Sequence, residues 1–126
     1  MSVFARVELG FTETLRGNHN TAIRILGEAY ETAMQLSDAF AVAMIDEVYG
    51  VVYSYLNDYP RSIEHYQSAL AVYNREDYKA YQAEAINGLG ITYRYDERWD
   101  SAIDAFKRYR EMTENNDATH GAFTAA

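Results

Sequence analysis

LGITYRYDERWDSAIDAF, residues Leu89–Phe106, decides the fold because the same pattern runs through the chain three times. YGVVYSYLNDYPRSIEHY fills Tyr49–Tyr66 and LGFTETLRGNHNTAIRIL fills Leu9–Leu26, each 40 residues from the next. In that frame Leu9-Gly10, Tyr49-Gly50 and Leu89-Gly90 coincide. So do Ala22-Ile23, Ser62-Ile63 and Ala102-Ile103, the large residues Leu26, Tyr66 and Phe106, and the aromatic position His19, Tyr59 and Trp99. Self-similarity at a fixed period marks a repeat array, in which each unit buries its apolar face only against its neighbours. Such an array offers an extended surface to partners rather than an enclosed reaction chamber.

Each unit reads as two helices. First helices are expected over about Val3–Arg16, Asp38–Leu56 and Tyr78–Tyr95, and second helices over about Asn20–Leu36, Pro60–Asn74 and Trp99–Glu114. Apolar and small residues recur at three and four along each, as a helix packed on one stripe requires. Pro60 suits a first helical turn, where its missing N–H costs nothing. Gly17-Asn18, Asn57-Asp58 and Glu97-Arg98 form short links, so paired helices are antiparallel. Ser37, Asp77 and Asp117, also 40 apart, are expected to cap the helix that follows each. The units are therefore about 3–36, 38–74 and 78–114. A partial fourth unit over 118–126 makes the chain read as a piece of a longer array, and a short capping helix is the alternative. The expected fold is all-α, a right-handed α-solenoid of three helix-turn-helix repeats plus the start of a fourth.

Composition narrows the function. The 126 residues are 48% hydrophobic and 24% charged with one proline, which predicts a folded chain rather than a disordered one. There is no cysteine, which removes disulfides, thiolate metal sites and cysteine nucleophiles, and fits a reducing cytoplasm. A formal charge of −8 argues against nucleic acid, whose binders carry a basic face. Asp46 and Glu47 interrupt the most apolar stretch, Ala39–Leu56, which argues against a membrane span.

The spacing within each unit resembles the tetratricopeptide repeat. Unit three supplies Ile86, Leu89, Gly90, Tyr93, Trp99, Ala102, Phe106 and Tyr109. Unit two supplies Tyr49, Gly50, Tyr53, Tyr59, Ser62, Tyr66 and Ala69, and unit one Leu9, Gly10, His19, Ala22, Leu26 and Ala29. The chain departs from that family in its period of 40, in Glu13 where the other units carry Tyr53 and Tyr93, and in Asp46 at a usually bulky position. The resemblance implies that the glycines sit where paired helices approach closely and that the first helices line a concave groove.

Carried over position by position, that groove contains Phe4, Phe11 and Leu15 from unit one, Glu47, Val51 and Tyr55 from unit two, and Asn87, Ile91, Arg94 and Tyr95 from unit three. Val7, Thr14, Met44, Ser54 and Glu84 fall on the same stripe. An apolar and aromatic stripe of this kind suits a peptide or protein partner, and packing on a neighbour or a second copy is the alternative. The positions at which chaperone-binding relatives hold a C-terminal carboxylate are Val7, Phe11, Val48, Glu84 and Gly88 here. None is cationic, which excludes that ligand.

Catalysis has little to stand on. His19 falls on a packing position, His65 and His120 stand isolated, and no metal-ligand spacing or nucleophile motif is present. The chain is therefore expected to be a non-enzymatic binding scaffold needing no cofactor or metal. Two other readings are a ligand-sensing input region of a bacterial regulator with an attached output domain, and an oligomerisation module. The faces of Phe106, Tyr109 and Met112 next to the stub 118–126 make a homodimer through the C-terminal end an expectation.

Overall fold

The computed structural model describes residues 1–115, which form six α-helices and no strand: α1 (Val3–Leu15), α2 (His19–Gln35), α3 (Ala39–Tyr55), α4 (Tyr59–Arg75), α5 (Lys79–Tyr95) and α6 (Trp99–Asn115). Asp117 and the stub 118–126, with the part of the C-terminal dimer that rests on them, lie outside the described residues. Among those described, α2 to α6 each contain 17 residues. The 40-residue period is thus two near-equal halves.

One backbone device joins every consecutive pair of helices. Gly17, Ser37, Asn57, Asp77 and Glu97 all take positive φ, between 52° and 87°. At each, the next residue's N–H reaches back five positions, as in Asp38 N to the Ala33 carbonyl at 3.0 Å and Arg98 N to the Tyr93 carbonyl at 2.8 Å. The positive-φ residue itself donates three positions back, as Ser37 does to Met34 at 3.1 Å. This paired closure satisfies the orphan carbonyls at a helix end. It also corrects the capping assignment: Ser37 and Asp77 end the preceding helix rather than start the next. Asp38 caps α3 instead, its side chain accepting from Ala41 N at 3.0 Å, and Tyr78 precedes α5 with no side-chain cap.

The repeat glycines are close-approach points. A Cβ built at Gly10 would lie 2.8 Å from Leu26, one at Gly50 2.7 Å from Tyr66 and one at Gly90 2.7 Å from Phe106. The large residue of the second helix therefore packs directly on the glycine of the first. Ala22 and Ser62 are fully buried beside them, and Ser62 Oγ donates to the Gly50 carbonyl at 2.7 Å, so the polar replacement costs no unpaired group. Leu26, Ile45 and Val52 fill the core of the first two units.

The aromatic position behaves differently from a core site. His19 stacks on Tyr55 at 5.9 Å and Tyr59 on Tyr95 at 6.5 Å, each reaching the end of the next unit's first helix. Trp99 is 57% exposed.

Candidate functional site

Curvature follows from which helices touch. Within units α1 packs on α2, α3 on α4 and α5 on α6, while α2–α3 and α4–α5 join the units. The first helices also touch one another, α1 with α3 and α3 with α5, whereas the second helices make at most marginal contact among themselves. An array held tightly along one row and splayed along the other bends, with α1, α3 and α5 on the concave side.

A cavity of about 490 Å³ occupies that side. Eight of the ten groove residues read from the sequence line it: Phe11, Leu15, Glu47, Val51, Tyr55, Asn87, Ile91 and Tyr95. Phe4 does not; it stands 46% exposed near the start of α1, beyond the end of the lined space. Nor does Arg94, whose guanidinium lies over the Tyr95 ring at 5.4 Å. Thr14 faces away as well, buried with its hydroxyl donating to the Gly10 carbonyl at 2.7 Å. A second hollow of about 220 Å³ continues the concave face and shares Phe11, Glu47, Val51 and Glu84 with the first, adding Val7, Glu8, Met44, Val48 and Tyr81.

Two tyrosines of the outer row also reach the cavity, Tyr59 and Tyr66. Tyr66 threads from α4 between α3 and α5. Its ring lies over Gly50 on one side and Gly88 on the other, where an added Cβ would come within 2.5 Å of Cε1. Gly88 has no counterpart in the 40-residue pattern, since Val48 holds the equivalent place in unit two. The slot is therefore special to the junction of units two and three, and repeat spacing alone gives no sign of it.

The cavity carries one pair of carboxyl groups. Glu47 and Glu84 line both hollows. Tyr73, fully buried, donates its hydroxyl to Glu47 Oε1 at 2.9 Å. Burial and then the neighbouring Glu84 charge push the Glu47 carboxyl up to about 8, against the opposing pull of the Tyr73 hydrogen bond. Burial and the Glu84 charge thus favour the protonated form of Glu47, which can share its proton with Glu84. Burial, followed by the Glu47 and Glu84 charges, also raises the Tyr66 hydroxyl well above the usual phenol range.

A different face of α3 carries a cluster that sequence phase hides. His65 is not isolated: its Nδ1 lies 2.9 Å from Asp46 Oδ1, and its ring stacks on Tyr49 at 4.8 Å and Tyr53 at 5.5 Å. Arg61 covers the Tyr53 ring at 5.4 Å. Burial, with lesser contributions from Tyr53 and Asp46, pushes the Tyr49 hydroxyl up to about 12. Asp46 thus finds its partner on α4, which explains a carboxylate at a usually bulky position.

Among the described residues no three His, Asp or Glu side chains gather as a metal site, and no helix is long and apolar enough to cross a membrane. A family model described as tetratricopeptide repeat matches residues 3–75 and 41–115. No curated protein matches the chain.

Proposed function

This chain belongs to the tetratricopeptide-repeat family, and we propose that it is a scaffold whose concave groove receives a peptide segment of a partner protein. Repeats of this family are in general protein–protein interaction scaffolds and typically non-enzymatic. The observation that carries the proposal is the continuity of the apolar and aromatic lining: Phe11, Val51 and Ile91, equivalent in the three units, face one cavity together with Leu15, Tyr55 and Tyr95. A row of such side chains spaced by the repeat can take successive apolar residues of a bound segment.

Selection of binders from a random dodecapeptide library tests the groove. Selected peptides are expected to perturb the backbone amide resonances of α1, α3 and α5. The paired variant Val51→Glu, Ile91→Glu should weaken them more than tenfold with helical circular dichroism unchanged. Perturbations confined to α2, α4 and α6, or unchanged affinity in the variant, would overturn the groove assignment. The size of the cavity, within the range that holds small molecules, supports a second reading, a ligand-sensing input role. That reading expects a metabolite-sized compound, rather than any peptide, to be displaced by the same two substitutions.

A further inference from the structure

We propose that Glu47, Glu84 and Tyr66 form a single subsite for the ammonium group of a lysine carried by an otherwise apolar segment of the partner. The inference rests on the groove reading above and names the chemistry of what the groove takes.

Three observations converge on it. First, three oxygen-bearing side chains from three helices line one cavity: Glu47 of α3, Tyr66 of α4 and Glu84 of α5. Second, Tyr66 is only 6% exposed as a residue and lines the cavity, and its hydroxyl has no hydrogen-bond partner among the described residues. A hydroxyl brought to a cavity wall through a glycine slot is positioned to find its partner there. Third, the surrounding charge has one sign. Glu8 joins Glu47 and Glu84 along the concave face, and among the described residues no lysine, arginine or histidine lines either hollow.

A lysine fits this arrangement better than the alternatives. Its ammonium has three N–H donors and no acceptor, matching two carboxyl groups and one hydroxyl oxygen. A guanidinium instead prefers the planar fork of a single carboxylate. The lysine stem is apolar along its length and would lie against Val51 and Ile91.

Binding moves a proton. The titratable groups facing Glu47 are Glu84 and Tyr81 on α5, Tyr66 and Tyr73 on α4, and Glu8 on α1, and none is cationic. In the free protein burial and the Glu84 charge raise the Glu47 carboxyl to about 8, which favours its protonated form at neutral pH. An ammonium between the carboxyls favours the ionised pair, so the Glu47 proton leaves to solvent as the lysine docks. Affinity therefore rises with pH below about 8, approaching tenfold per pH unit where one full proton is released, and flattens above.

The test uses the full chain and the tightest lysine-containing dodecapeptide from the library, with its lysine kept, changed to arginine or changed to norleucine. Titration calorimetry at pH 6, 7 and 8, in two buffers of different ionisation heat, reads affinity and proton release. The lysine peptide should lead both others by about tenfold and release a proton at pH 7. Glu47→Gln, an isostere of the protonated acid, should erase both the preference for lysine over norleucine and the pH dependence. Equal binding of lysine and norleucine peptides, with binding still lost in Val51→Glu, Ile91→Glu, would overturn the subsite and spare the groove. Equal binding of arginine would overturn the three-acceptor geometry. Indifference of every peptide to the paired variant would overturn the groove and the subsite together.

Discussion

Replacing Gly88 with alanine should destabilise the array even though it adds a better helix former. The added methyl would lie 2.5 Å from Tyr66 Cε1 and 2.8 Å from its hydroxyl oxygen. Ordinary carbon contacts sit near 3.5–4.0 Å, so the ring or a helix must move by about 1 Å. The ring cannot retreat toward α3, because a methyl-sized addition at Gly50 already measures only 2.7 Å from its other edge. The spacing of α3 and α5 must then open. Overpacking of this kind costs about 1–3 kcal/mol, against a propensity gain of about 1 kcal/mol. Gly27→Ala is the control: its methyl would meet nothing nearer than the Tyr49 hydroxyl at 3.7 Å, so it keeps the gain without the clash. Urea unfolding followed by circular dichroism should therefore place Gly88→Ala below Gly27→Ala by about 1–3 kcal/mol. The chain contains its own rescue, since unit one pairs Leu26 with Val48 where unit two pairs Tyr66 with Gly88. Gly88→Val should be worse than Gly88→Ala, and Tyr66→Leu in the same molecule should recover most of the loss, a coupling of at least about 1 kcal/mol. Equal stability of Gly88→Ala and Gly27→Ala, or strictly additive effects of the valine and leucine changes, would refute the slot.

Three further outcomes are expected. Because the folded Glu47 carboxyl titrates near 8 and the unfolded one near the model-compound value of 4.5, its contribution is full below that lower value and is lost as pH rises toward 8. Glu47→Gln should therefore gain stability over the parent across that window, by up to about 1.4 kcal/mol per pH unit, measured as the difference between their urea midpoints from pH 5 to pH 8. Spectrophotometric titration near 295 nm should show that Tyr49, Tyr66 and Tyr73, of the twelve tyrosines, ionise only at or beyond about pH 12 or with unfolding; a single uniform phenol transition near pH 10 would contradict their burial. At the link positions, Glu97 holds φ 60° and Gly17 φ 87°, so Glu97→Gly should raise stability by up to about 1 kcal/mol and Gly17→Ala should lower it by about as much, with thermal melts of both variants as the check.

What the chain determined by itself is the periodic part. Gly10, Gly50 and Gly90, the small partners Ala22, Ser62 and Ala102, and the large residues 26, 66 and 106 recur at one spacing because each unit must offer the same shape to its neighbour. Helix number over the described residues and their pairing follow from that repetition, whereas the groove positions came from the family resemblance, and eight of those ten residues line the cavity. The tertiary structure decided what is not repeated. Ser37 and Asp77 resemble caps in sequence, but five equivalent chain reversals require a left-handed residue there, and the identity of such a residue varies from Gly to Glu. His65 finds Asp46 because α3 and α4 face each other at 19 residues' separation, a relation that no local pattern announces. Tyr66 reaches the cavity by passing between Gly50 and Gly88, one periodic and one not. Repetition makes the scaffold legible because packing is a sum of like contacts. The site is written in the exceptions, and exceptions acquire meaning only when the helices bring them side by side.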